Sequence, residues 1–204
     1  MTSWSRGHQR VAADALAALS GALAVSPAEA HLVTTGLGPI YDGVSHVFLS
    51  PEDLVPAVVL ALLGGRCGPE TGRRVLFVLP LAWLLGGLVG LVAAGVAALP
   101  DLAWLSFVIV GGLVAANLKL SSAIITALAA LLGLFHGFLN GSTMGYSADG
   151  LRALIGVAAT IFVLSALFAA AVVAFRQEAL RIGVQVLGSW TAATGILLLG
   201  WLLR

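Results

Sequence analysis

The chain has 204 residues, of which 60% are hydrophobic and only 9% charged, with a formal net charge of +1 and a mean hydropathy of +1.06. A soluble domain carries roughly 25% charged residues, so this balance excludes a globular soluble fold and implies an all-α integral membrane protein whose principal partner is the lipid bilayer. The near-zero charge shows no basic stripe and gives no nucleic-acid partner, and the single cysteine, Cys67, excludes an internal disulfide and a thiolate metal cluster.

In chain order, residues 1–30 read as a secretory signal peptide. Arg6 and Arg10 precede a modest apolar run over 11–25, and Ala28, Glu29 and Ala30 form a small-x-small cleavage site. Cleavage leaves His31 as the mature N-terminus, outside the cell, ahead of a single domain over 31–204. An uncleaved N-terminal helix is the alternative, because Asp14 interrupts the apolar run. Six apolar stretches follow, over 40–65, 75–100, 102–118, 120–134 and on past His136, 153–175 and 182–203. Each approaches the roughly 20 apolar residues that one crossing needs, so six transmembrane helices are expected.

The connecting segments orient these spans. With the mature N-terminus outside, Arg66, Arg73, Arg74, Lys119, Arg176 and Arg181 fall on one side of the membrane, and only Arg152 and Arg204 on the other. That asymmetry obeys the positive-inside rule and agrees with a cleaved signal peptide in a multi-pass protein of the inner (plasma) membrane. Pro100, Asp101 and the stretch "NGSTMGYSADG" then face outward. Glycines cluster inside the spans, at 86–90, 111–112 and 133–137, where small residues let helix backbones approach closely.

The first span opens with "YDGVSHVFLSPEDLVP", residues 41–56, which gathers three acids and a histidine in an otherwise uncharged region. Asp42 and His46 are four apart and share a helix face, which continued leads toward Glu52 or Asp53. Pro51 and Pro56 remove backbone donors, so the first helix is expected to be kinked or broken near them. The second polar island is "LFHGFLNG", where His136 and Asn140 arrive, in the topology above, at the same outer level as His46. An ionisable residue inside a span is costly to bury and is by default a candidate for function. Neutral imidazole is the commonest side-chain metal ligand, and carboxylates are its harder partners. The competing reading is structural: a histidine bonded to nearby backbone, and Ser50-Pro51-Glu52-Asp53 serving as a helix start.

Enzyme signatures are missing. The sequence contains no G-x-S-x-G, no H-E-x-x-H and no phosphate-cradling loop, and Ser45, adjacent to His46, points elsewhere on a helix. The chain is therefore expected not to be an enzyme and to hold no permanent cofactor.

These residues resemble the HupE/UreJ family of small membrane proteins linked to hydrogenase and urease. The family's N-terminus ends just before a histidine, as "AEAH" does here, and its first-helix motif has the form H-P-x-x-G-x-D-H. Residues 46–53, "HVFLSPED", occupy that frame: His46 matches the first histidine, Glu52 the aspartate in charge, and Asp53 stands in the place of the second histidine. The second motif, F-H-G-x-x-H-G, is matched by residues 135–141, with Asn140 in place of a histidine. The resemblance implies transport of a divalent transition-metal ion, nickel or else cobalt, captured by His46, His136, Asp42 and Glu52 or Asp53, with Asn140 and His31 contributing. The other function in view is a non-transporting accessory or metal-sensing protein that works with metalloenzyme maturation proteins. Fewer imidazoles than the family pattern shift the expected site toward harder ions or weaker binding.

Overall fold

A computed structural model describes residues 34–93, 102–118, 120–174, 178–202 and 204. The signal-peptide region, His31, Asp101, Lys119 and Arg176 lie outside the described residues. Within them the chain is all-helical: α1 (Pro39–Leu49), α2 (Pro51–Arg66), α3 (Pro69–Val92), α4 (Ala103–Ala115), α5 (Ser122–Met144), α6 (Ala148–Ala174) and α7 (Glu178–Leu202).

Each early helix begins on a proline, whose missing N–H belongs to a position with no helical partner anyway. Gly38 and Gly68 precede two of them at φ 103° and 113°, values that favour glycine. The expected disturbance of the first span takes the form of a complete break. Pro51 cannot donate to the carbonyl four residues back, and it forces Ser50 into an extended conformation, φ −107° and ψ 87°. The axis turns by 77° between α1 and α2. Pro56 causes no second break and sits inside the continuous α2.

Four helices, α3, α5, α6 and α7, are long and apolar enough to cross a membrane, and the α1–α2 pair makes a fifth if the bent pair counts as one span. The expected span over 102–118 forms a helix of only 13 residues, α4, about 20 Å long against a hydrocarbon core of about 30 Å. It stops because Asn117 takes φ 52°, a left-handed conformation that ends a helix. The fourth stretch differs in the other direction: α5 continues through Asn140 to Met144, so part of the expected outer loop is helical, and Gly145 at φ 70° terminates it.

The core centres on α2, which buries ten of its sixteen residues and is apolar on every side below Asp53. Its Leu60 and Leu63 pack in one buried cluster with Val47, Leu79, Trp83, Ile125 and Ile161. The glycine clusters perform the expected close packing between α3 and α5. A Cβ at Gly86 or Gly90 would meet the backbone of α5, and one at Gly133, Gly137 or Gly141 would meet the backbone of α3. Small residues join α1 to α6 in the same way, at Gly43 and Gly156. Phe77, Leu81, Trp190, Leu197 and Trp201 are exposed on the outer surface, as lipid-facing side chains would be.

Candidate metal-handling site

The break at Ser50 aims the first turn of α2 into the bundle. Ser50 is the N-cap, with its carbonyl accepting from the backbone N–H groups of Asp53 and Leu54, so Asp53 lies in the first turn, where the helix dipole favours a negative group. Asp53 is only 2% exposed. The same break brings His46, at the end of α1, back toward it: His46 Nε2 stands 3.4 Å from Asp53 Oδ2.

The glycine-packed α3–α5 pair supplies the opposite wall. His136 is fully buried, and its Nδ1 lies 2.8 Å from Asp53 Oδ1. One turn later, Asn140 Nδ2 donates to Asp53 Oδ2 at 2.8 Å. The amide is held in that sense because Trp83 Nε1, which can only donate, reaches Asn140 Oδ1 at 2.9 Å. The Trp83 ring also lies against the imidazole of His136, with centroids 5.3 Å apart. On its far side, His136 Nε2 is 3.1 Å from Ser106 Oγ of α4.

The structure thus brings together four of the seven residues singled out from the sequence, namely His46, Asp53, His136 and Asn140. The two positions that depart from the histidines of the motifs, Asp53 and Asn140, are bonded to each other. Asp42 does not join them, although it shares α1 with His46: its carboxylate accepts from the backbone N–H and the hydroxyl of Thr35, both at 2.6 Å. The 77° bend after Leu49 also means that the face of α1 carrying Asp42 and His46 does not run on along α2 to Asp53. Glu52 is half-buried next to Asp53 and takes no part in these bonds. Trp83 and Ser106 were not singled out from the sequence. Each is a hydrogen-bonding side chain inside an apolar run, which is the signal that marks them.

The arrangement is a closed one. Both oxygens of Asp53 are occupied by protein donors, and among the described residues no three His, Cys, Asp or Glu side chains form a group that could hold a metal ion. Among the described residues His46 Nε2 is buried and makes no hydrogen bond, with Asp53 Oδ2 3.4 Å away. A buried imidazole nitrogen left unpaired costs free energy.

Cys67 lies between α2 and α3, away from the cluster. It is half-buried, and burial pushes its thiol above the usual cysteine range while the neighbouring Arg66 pulls it back.

A family model described as HupE / UreJ protein matches residues 17–198 of the chain. No curated protein and no solved structure matches it.

Proposed function

The chain belongs to the HupE/UreJ family, and from that premise and the buried cluster we propose that it carries a divalent transition-metal cation, nickel or cobalt, across the inner membrane. The observation that supports the reading is Asp53, a carboxylate 2% exposed inside an apolar bundle with an imidazole on either side. Buried carboxylates in membrane helices are expensive and mark ion pathways. In this reading the cation enters between His46 and Asp53, where the unpaired nitrogen of His46 waits, and His136 and Asn140 exchange their bonds to Asp53 for bonds to the cargo or its water.

The protein is proposed to be a carrier rather than an enzyme, with the metal as cargo and no resident cofactor. The proposed topology has a signal peptide removed after Ala30, His31 outside, and six crossings in which α4 is the short one. The arginine and lysine distribution supports this orientation. Asp42 and Glu52 are assigned to the outer approach to the site. The closed donor set supports a second reading, an accessory or metal-sensing protein that binds without transporting. Uptake of nickel or cobalt by proteoliposomes containing the purified chain separates the two: accumulation that disappears in His136→Ala supports transport, and metal binding with no accumulation selects the accessory role.

A further inference from the structure

We propose that the groove between α3 and α6 holds one anionic phospholipid, with an acyl chain in the groove and the phosphate on Arg73. The site requires only that the chain spans a membrane, and it stands apart from the metal-handling reading.

Helix α3 carries Glu70, Arg73 and Arg74 in its first two turns, beside the last turns of α6. The positive end of the helix dipole lies there, so an acid stabilises these turns and a cation does not. Glu70 fits that rule, but its carboxylate is committed to Arg74 Nη2 at 2.6 Å. Arg66 donates to the Val114 carbonyl and Arg181 pairs with Glu178, whereas Arg73 makes neither an ion pair nor a hydrogen bond among the described residues. Two guanidinium groups and a helix dipole against one carboxylate leave this corner positive, and an anion is what completes it.

Arg73 stands at the mouth of a groove of about 330 Å³, walled by Gly72 and Leu76 of α3 and by Ala166, Ala170 and Val173 of α6. Small side chains on both helices leave it open. From Val173 to Ala166 it follows two turns of α6, about 10 Å, and its walls offer ordered water no polar partners beyond Arg73. One turn beyond Ala166, Phe162 meets Phe77 of α3 with ring centroids 6.0 Å apart, so the helices close again at depth. A guanidinium over an apolar slot selects a ligand that is anionic at one end and hydrocarbon at the other. A metal cation is repelled, and a free phosphate leaves the slot empty. In the proposed orientation this end faces the cytoplasm, the side on which basic pockets between membrane helices hold anionic lipid headgroups.

Native mass spectrometry of the full-length chain in dodecyl maltoside, titrated with dioleoyl phosphatidylglycerol or dioleoyl phosphatidylcholine, tests the site. Wild type should bind one phosphatidylglycerol about 5-fold more tightly than phosphatidylcholine, because one basic group beside an anionic headgroup contributes about that factor. Arg73→Gln should erase the preference, and Arg73→Lys, which keeps the charge, should restore it. Ala170→Phe fills the groove without touching the charge and should weaken phosphatidylglycerol binding as well. Arg73 and Ala170 are both exposed, so neither change disturbs the core. Arg152→Gln, near the opposite end of α6 in an exposed pair with Asp149, should change nothing. Equal binding of the two lipids by wild type overturns the proposal, as does a preference that survives in Arg73→Gln or is lost equally in Arg152→Gln. Undiminished phosphatidylglycerol binding by Ala170→Phe also overturns it, because the headgroup would then be held without an acyl chain in the groove.

Discussion

His46 and His136 face the same carboxylate from opposite sides and are held in opposite ways. His136 is fully buried, engaged at both ring nitrogens and pressed against Trp83, on a helix zipped by glycines to its neighbour. His46 retains 12% exposure, has no hydrogen-bond partner at Nε2 among the described residues, and stands at the end of an 11-residue helix beside a 77° break. In the proposed carrier, His136 is the histidine held in place and His46 the one free to exchange partners, although α1 as a whole is packed closely on α6 through Gly43 and Gly156.

The comparison breaks most completely at the carboxylate both imidazoles share. Asp53→Ala removes the acceptor for His136 and Asn140 together, and leaving buried polar partners unpaired costs about 3–5 kcal/mol. Metal uptake should vanish, and thermal unfolding in detergent should show a large loss of stability. A variant as stable as wild type would mean that the cluster is not a unit.

The two histidines should then separate in their effects. His46→Ala and His136→Ala are each expected to lower metal affinity by about 10- to 100-fold. His136→Ala should lower the melting temperature more, because His136 loses bonds at both ring nitrogens and its contact with Trp83, whereas His46 loses one longer approach to Asp53. Equal destabilisation by both would contradict the distinction between a held and a free histidine.

The rigidity of α5 can be tested away from the chemistry. A Cβ at Gly137 would collide with the backbone carbonyl of Trp83, whereas Gly112 has nothing within 4 Å. Gly137→Ala should therefore cost about 1–3 kcal/mol or more by forcing two helices apart. Gly112→Ala should be neutral or slightly stabilising. Comparing their melting curves checks whether close approach, rather than glycine content, is what matters.

Trp83→Phe keeps an aromatic ring next to His136 and deletes the N–H that orients Asn140. The orphaned amide oxygen should cost about 1–3 kcal/mol, with a smaller loss of metal affinity than either histidine variant produces. If affinity instead fell as far as in His136→Ala, the indole would have to be counted among the groups that contact the ion.

The smallest effect belongs to Cys67, outside the cluster. Its thiol is raised by burial, so at neutral pH less thiolate is present than in a free cysteine, and the rise in alkylation rate with pH should be displaced upward. Cys67→Ser should leave uptake unchanged. Labelling by an impermeant reagent should occur only from the cytoplasmic side, and labelling of intact spheroplasts would reverse the proposed orientation.

Much of this molecule is legible in single residues and their spacing. Composition alone demands membrane helices, because a bilayer leaves no other way to satisfy so much backbone in so apolar a chain. Proline at 51 demands a break, and glycines spaced along 86–90 and 133–141 demand close helix contact. Polar residues stranded in apolar runs, such as His136 and Asn140, announce a site. What the sequence could not supply is which acid the histidines meet. Asp42 shares a helix with His46, yet its carboxylate is taken by Thr35, and the 77° turn brings Asp53 from the next helix to the imidazoles instead. Nor could it bring Trp83 and Ser106 to the imidazole of His136, since those contacts join residues 53 and 30 positions away along the chain. The physical reason is the same in both cases. Helix existence follows from local propensity and solvent, whereas the pairing of buried polar groups is decided by where packed helices cross, and only the folded bundle holds that information.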